Sequence, residues 1–521
     1  MMDDVSAVAA RLLERGQSGE HAEVVAESER LLREPTGDLV DGPAGLHFAR
    51  AVAYMSGGDE HAALAAAELM IKAAEREESA GWLSCGLSLR AVLRVEMGEQ
   101  DVAEHDLETV LRDLVDAEDA LLRGVEDPWL ASNAHTGIAL PFHSLRLYEL
   151  ALPHYTAAYE ASTRGSTETG APAMWLLNLA EVELDWALEL YRVELVADAE
   201  KHSRDALEYA VRAGQAAAGP DAERWRTSAG IQECCARISC GEDEPALGEI
   251  LTRRERAKVR GATADLHWSA PFVAVALGRV GRSEEALDLL RETLAEANAR
   301  AAWIQLAALQ HTRAYLLAEA GLPGTAETLE YGQTLAHALW RQRLRTLHVA
   351  ETMRSFDTLR HAHDQAARSA LVDPLTGIAN RRAFDDAVAS HAALEPRRPV
   401  AALVIDLDRF KDVNDTHGHD AGDALLRTVA GALSASVREG DLVARLGGDE
   451  FAALLPGADA VAAQRVAQRM VDAVDALPDS PATASIGVCS TPAAALPGAI
   501  TRADQAMYAA KRAGGNRVTA G

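Results

Sequence analysis

Apolar residues follow two different rhythms along this chain, and the change falls near residue 397. Before it run long Ala/Leu/Glu stretches with apolar side chains at helical spacing, as at Leu277, Val280, Leu287 and Leu290. After it come short runs rich in Val and Ile. The pattern predicts helices first, then mixed α/β structure. Within the helical part a glycine recurs at Gly58, Gly98, Gly241, Gly281 and Gly321, and three of the four intervals are 40 residues. An alanine stands five positions after each: Ala63, Ala103, Ala246, Ala286 and Ala326. Glycine closes a helix in the left-handed conformation at little cost, and an early alanine lets the next helix approach closely. Tyr148-Glu149-Leu150-Ala151 and Val196-Ala197-Asp198-Ala199 sit where two further turns would fit.

Residues 340–371 contain neither Gly nor Pro. Leu344, Leu347, Met353, Phe356, Leu359, Ala366 and Ala370 recur there at near-helical intervals, so one connecting helix is expected. Asp373-Pro374 should stop it, because proline disfavours helix at the residue before it. Arg360 and His363 interrupt any heptad seam, which makes a coiled-coil reading weak. The helix either pairs with its twin to carry a signal or caps the helical array.

Charge sharpens the division. The 521 residues carry a net charge of −28, of which −24 falls on the first 370 and −4 on the rest. Such acidity argues against broad nucleic-acid binding, which needs Lys/Arg-rich faces. No apolar run is long enough to span a membrane, and Met1-Met2-Asp3-Asp4-Val5 lacks the order of a signal peptide. Five irregularly spaced cysteines suit buried thiols rather than disulfides or zinc, and a cytoplasmic location is expected.

The helical turns resemble tetratricopeptide-like hairpins, with a period longer than the usual one. A stacked array of that kind offers a concave surface to a protein or peptide partner. A plain alanine-rich bundle is the alternative. His135, His143 and the other histidines of this part read as core or surface residues, and nothing in it suggests catalysis.

Candidate chemistry lies after residue 397. Val400 to Asp408 is an apolar run ending in two carboxylates, and Asp406 and Asp408 share a strand face. Leu442–Leu446 and Phe451–Leu455 flank Gly447-Gly448-Asp449-Glu450, which reads as a tight hairpin presenting an acidic pair. Carboxylates at two strand ends suit a hard cation on a nucleoside triphosphate, and Lys411 suits its phosphates.

Gly447-Gly448-Asp449-Glu450-Phe451 resembles the signature of the GGDEF family of diguanylate cyclases. The likeness extends through Asp373-Pro374-Leu375-Thr376-Gly377, Asn380-Arg381-Arg382, Asp406-Leu407-Asp408-Arg409-Phe410-Lys411, Asn414-Asp415 and Gly418-His419-Asp420. It continues in Gly422-Asp423, Ser485-Ile486-Gly487-Val488 and Ala503-Asp504-Gln505-Ala506-Met507-Tyr508, with Lys511 and Asn516. This resemblance covers about residues 371–521, and with the tetratricopeptide-like one it implies an all-α repeat array followed by an α/β (α+β) cyclase domain with a mostly antiparallel central sheet. Together these readings divide the chain into a repeat region over 1–340, a connecting helix over 341–371 and a cyclase domain over 372–521.

The same resemblance implies a reaction in which two GTP become cyclic di-GMP and two pyrophosphates across a homodimer. By it, Asp406, the Leu407 carbonyl and Asp449 hold Mg²⁺ or Mn²⁺, and Glu450 is a second ligand or the general base. Asn414 and Asp423 would read guanine, with Phe410, Lys411 and Lys511 also on the substrate. Arg438 and Asp441, with Arg469, resemble an inhibitory site for the product cyclic di-GMP. Asp408 has a bland reading as a cap of the following turn. Gly515 departs from the family, which often carries a basic residue there; Arg512 or Arg517 could supply the contact. A non-catalytic nucleotide receptor and a peptide-binding scaffold are the competing functions. No phosphodiesterase domain is expected, and the input signal is not legible.

Overall fold

The computed structural model describes residues 5–17, 19–33, 43–98, 104–164, 171–219, 222–259, 263–296, 303–394, 398–477 and 482–521. Met1 to Asp4 and Ala103 lie outside the described residues. The chain forms two compact units, residues 1–357 and 358–521.

The first unit is helical throughout its described residues, and its helices pair into hairpins. They are α1 (Val5–Gln17) with α2 (His21–Arg33), α3 (Ala44–Ser56) with α4 (Glu60–Arg76), and α5 (Ala80–Gly98) with α6 (Glu104–Leu122). Next come α7 (Pro128–Ser144) with α8 (Tyr148–Thr163), α9 (Ala171–Arg192) with α10 (Val196–Ala216), and α11 (Ala222–Ser239) with α12 (Asp243–Val259). Then follow α13 (Thr263–Arg279) with α14 (Ser283–Glu296), α15 (Trp303–Glu319), and α16 (Thr325–Ser369), which runs on into the second unit. First helices of successive hairpins also pack on one another, as α11 does on α9 and α13. Among the described residues no helix is long and apolar enough to cross a membrane.

The turns explain the periodicity. Gly58, Gly241, Gly281 and Gly321 all adopt positive φ, between 69° and 88°. Two residues without a glycine do the same work: Arg146 (φ 62°) and Glu194 (φ 61°) close α7 and α9. Gly98 ends α5, and residues 99–103 after it lie outside the described residues. Five positions beyond the left-handed residue stand Ala63, Ala151, Ala199, Ala246 and Ala286, all fully buried. Only a methyl group fits where the second helix of each hairpin crosses the first. Ala326 is exposed, so the rule ends with the last turn.

The connecting helix differs from expectation in its start and in its packed face. It begins at Thr325, not near 340. Among its described side chains Ala336, Arg343 and Ala350 are buried, seven residues apart, with Leu347 and Met353 half-buried against the array core. Leu344, Phe356 and Leu359 face solvent, and the Ala366 side chain lies outside the described residues. A basic residue is buried because aromatic rings receive it. The Arg343 guanidinium lies 4.4 Å from the Trp340 ring centre and 5.1 Å from that of Tyr148. It also pairs with Glu149 and donates to the Arg146 carbonyl at 2.5 Å.

The second unit is a six-stranded sheet in the order β1-β3-β4-β2-β5-β6. The strands are β1 (Ala379–Asn380), β2 (Pro399–Asp408), β3 (Leu442–Gly447), β4 (Glu450–Pro456), β5 (Thr483–Pro492) and β6 (Arg517–Ala520). The four central strands are antiparallel, and the edges β1 and β6 are parallel to their neighbours. Helices α19 (His419–Ala435) and α20 (Ala460–Asp475) cover one face. The other lies under α17 (Arg381–Leu394) and α21 (Leu496–Arg512). Because side chains alternate along a strand, Ala401, Leu403, Ile405 and Leu407 enter the first core and Val400, Ala402 and Val404 the second. Gly487 is where α21 meets the sheet. A Cβ there would lie 1.8 Å from the Ala503 carbonyl oxygen, so only glycine permits the contact. All five cysteines are free thiols, and burial pushes that of Cys234 up to about 12.

Candidate active site

Strand β2 is the middle of the sheet, and its apolar run carries Asp406 into a half-apolar setting at the carboxyl end. Asp406 is 7% exposed and stands opposite Glu450 on β4 and Ser485 on β5. Directly opposite residues in an antiparallel ladder project side by side, so the two carboxylates share a face. Asp449 is brought beside them by the hairpin, whose backbone carbonyl accepts from the Leu407 N–H at 3.3 Å. The turn needs both glycines: Gly447 has φ 147° and Gly448 φ 54°. Burial raises the Asp406 carboxyl above its ordinary value; Lys511 opposes this, while Asp449 and Glu450 add to it.

Lys511 reaches down from the last turn of α21 and forms a close ion pair with Asp406. The charges of Asp449 and Glu450 also act on Asp406, which has this one ammonium partner. That surplus of negative oxygen fits a hard divalent cation, for which the lysine stands in at Asp406. Asp406, Leu407, Asp449 and Glu450, the residues expected to hold a metal, are neighbours at this strand end, though the three carboxylates do not close to ligand spacing of one another.

Asp408 has a different role from either earlier reading. Its carboxylate accepts from Thr483 Oγ1 and Ser485 Oγ, both at 2.8 Å, and from the Asn516 N–H at 2.9 Å. It pins β5 and the loop before β6 and does not cap the turn that follows, where no side-chain cap exists. This also explains Gly515. Its φ is +75°, and a Cβ there would lie 2.7 Å from Asp408 Oδ2. Arg517 Nε turns back to the Gly515 carbonyl at 3.0 Å.

The expected guanine-reading residues come from two helices meeting at Gly418: α18 (Phe410–His417) and α19. Asn414 packs against Gly422, where a Cβ would overlap its Oδ1 at 1.9 Å, and Asp423 follows directly. Phe410 is half-buried against the core and lies on the same glycine, whereas Lys411 is exposed.

Two arginines of the site escaped the sequence reading. Arg445 donates to the Gly448 carbonyl at 3.0 and 2.8 Å and pairs with Asp373 at 3.2 Å. Asp373 in turn accepts from the Thr376 N–H and hydroxyl. Burial works to raise its carboxyl, but the bonds from Thr376 and Arg445 outweigh that and hold it below the usual value. The first turn of the domain is thus tied to the signature hairpin. Arg381 donates to the Leu446 carbonyl at 3.0 Å and lies 3.8 Å from Glu450. Arg381 sits in a quoted motif and Arg445 in the strand before the hairpin, but only tertiary proximity gives them a role.

Arg438, Asp441 and Arg469 also converge. The Arg438 side chain meets Asp441 at 3.4 Å and donates to the Pro456 carbonyl at 2.8 Å. Arg469, on α20, donates to the Ser436 carbonyl at 3.1 Å. This cluster lies at the start of β3, whereas the acidic hairpin lies at its end, roughly 17 Å away at strand rise.

Comparison with known proteins agrees with this arrangement. Residues 370–517 match the family described as "Diguanylate cyclase, GGDEF domain". The chain is 40% identical over 156 residues to the probable diguanylate cyclase DgcT of Escherichia coli, covering 28% of this chain and 34% of that one. It is 40% identical over 175 residues to the response regulator PleD of Caulobacter vibrioides, covering 31% and 38%. The chain thus spans little more than a third of the length of these curated relatives. A solved structure of the coiled coil and GGDEF domain of DgcB from Caulobacter crescentus, in complex with c-di-GMP, is 32% identical. That likeness covers 33% of this chain and 97% of that one, with a TM-score of 0.32. Residues 370–517, the part that carries the acidic hairpin and its neighbouring strand, are a GGDEF domain.

Proposed function

We propose that the chain is a diguanylate cyclase, with the helical array as its regulatory region. The observation that carries this is the meeting of Asp406, Asp449 and Glu450, all intact, at the end of β2 in a GGDEF domain. In the reaction, a GTP 3′-oxygen bonds to the α-phosphorus of a second GTP and the bond to the β-phosphate oxygen breaks. Repeated in the other direction, this yields cyclic di-GMP and two pyrophosphates. Each domain holds one GTP, so two domains must face each other, and the working unit is a homodimer.

Asp406, the Leu407 carbonyl and Asp449 would hold Mg²⁺, or Mn²⁺ in its place. Bound there, a divalent cation supplies charge neutralisation to the triphosphate. Glu450 would take the proton of the attacking hydroxyl or serve as a further ligand. Lys411 and Lys511 balance phosphate charge. Asn414 and Asp423 accept and donate along the guanine edge, and the acidic acceptor suits the N1–H and amino group that adenine does not present in that pattern. Arg381 and Arg445 hold the hairpin rather than touch substrate.

Arg438, Asp441 and Arg469 form the product site in this reading: their guanidinium groups suit guanine and phosphate of cyclic di-GMP. Residues 1–340 act as the input region, 341–371 as the connecting helix and 372–521 as the cyclase, in the cytoplasm, where GTP is available.

Purified full-length protein incubated with GTP and Mg²⁺ is expected to produce cyclic di-GMP, read by nucleotide chromatography. Glu450→Gln, which keeps the shape and removes the charge, is expected to lower turnover at least about a hundredfold. Near-normal product from that variant would remove Glu450 from the mechanism, and no product from wild type would favour a nucleotide receptor.

A further inference from the structure

The part of α16 within the first unit is fastened to the array by polar anchors, where its neighbour α9 uses an apolar stripe. Helix α9 buries Leu176, Leu179, Val182 and Leu190 along its length. Among the described side chains of α16, only Ala336, Arg343 and Ala350 are fully buried, and Leu335, Leu344, Val349 and Phe356 stay exposed. A helix that walls a core cannot leave without opening it, whereas one held at a few points detaches at a smaller cost.

Those points form a seat made for a basic helix. Arg343 pairs with Glu149 at the start of α8 and lies over the rings of Tyr148 and Trp186. One heptad and a half further on, Arg354 Nε donates to Glu118 of α6 at 2.8 Å. At the other end, Gln333 donates to Glu194 in the turn between α9 and α10 at 3.3 Å. Trp340 packs on Ala187, Leu190 and Ala199. The occupant matches the charge of the seat: Tyr331 to Ala350 holds Arg341, Arg343 and Arg345 and no Asp or Glu, in a chain whose first 370 residues carry −24. The fit is incomplete, because Arg343 is 3% exposed and its Nη1 is buried without a partner. An unmet buried donor costs free energy, so the resident helix does not use all that the seat can give.

We propose that this face of the array is a receptor for a basic helix, that α16 is its resident occupant, and that a helix of a partner protein displaces it. The partner helix carries an arginine flanked seven positions away on each side by a small residue. It has no acidic residue between those two positions and a second arginine eleven positions after the first. Small residues let the helix lie close, the first arginine enters the rings, and the second reaches Glu118. The inference concerns the first unit alone and stands apart from the cyclase reading, and its test needs no nucleotide turnover.

The probe is a synthetic peptide of residues 329–356, and the control is the same peptide with Arg343 and Leu344 exchanged, which keeps composition and charge. The full chain is labelled with ¹⁵N, so its own α16 is told apart from the peptide. The probe is expected to bind the full chain by fluorescence anisotropy, and the control at least about tenfold more weakly. At saturating probe, amide hydrogen exchange of the chain's own residues 331–354 is expected to quicken. Arg343→Met and Arg354→Met in the full chain each weaken the resident helix, so the probe should bind them at least about tenfold more tightly than wild type. Either variant serves if the other fails to fold. Equal binding of probe and control overturns the proposal, as does unchanged exchange over 331–354 at saturation. No binding up to about 1 mM by wild type or by a folded variant overturns it too. A probe that binds by turning a dimer of the chain into monomers gives the face to a second copy and overturns the partner reading.

Discussion

Single side chains of the second unit divide into those that create the acidic site and those that hold it. Asp406 and Asp408 sit two residues apart on one strand face, yet Asp408 spends its oxygens on Thr483, Ser485 and Asn516. Asp408→Ala should therefore cost stability, about 2–4 kcal/mol for three bonds to a charged acceptor, seen as a lower thermal unfolding midpoint. A variant as stable as wild type would leave those bonds without structural weight. Asp373 gives a pH signature. Its folded carboxyl lies below the usual value, so its contribution is present above the unfolded pKa and is lost as pH falls through the folded one. Asp373→Asn should be less stable than wild type at neutral pH, and the gap should narrow as pH falls below the usual carboxylate range. A gap that stays constant across an acid titration would rule out the carboxylate as the cause.

Hairpin turns set the character of the array at the scale of elements. The glycine interval is visible in the chain, but two turns use Arg146 and Glu194 in a conformation that side chains resist. The two should respond to glycine in opposite directions. Glu194 is exposed, and its side chain accepts a long bond of 3.3 Å from Gln333. Glu194→Gly should raise stability by roughly 1 kcal/mol by relieving the positive φ. Arg146→Gly relieves the same strain but strips Glu189 of its bidentate partner in a buried setting, so chemical denaturation should show a net loss. Two stabilised variants, or two destabilised ones, would contradict this account. α16 follows the same logic: its buried face is set by the rings that accept Arg343, and not by its most apolar residues.

For the whole molecule, the decisive property of the proposed reaction is that each acidic site holds half of the reacting atoms. Specific activity of the full chain should rise with protein concentration below the dimer dissociation constant and level off above it. A specific activity constant from nanomolar to micromolar chain, where weak dimers dissociate, would count against two-domain catalysis. The long helix α16 belongs in part to each unit.

The sequence by itself determined the class of each part and most of the acidic site. Periods of 3.6 and 2 are local properties, and so is a turn glycine, which is why hairpins, strands and the Gly447-Gly448 turn were legible. Motif order placed Asp406, Asp449 and Glu450 in one family's site before any coordinates. Only the tertiary structure decided which groups face each other. Nothing local distinguishes Asp408, bonded on three sides, from Asp406, left to a lysine from a helix a hundred residues on. Nothing local shows that Arg445 reaches Asp373 or that Arg343 is buried between rings. Backbone periodicity is written in neighbours along the chain, whereas the partner of a charge is chosen by packing between elements far apart in it.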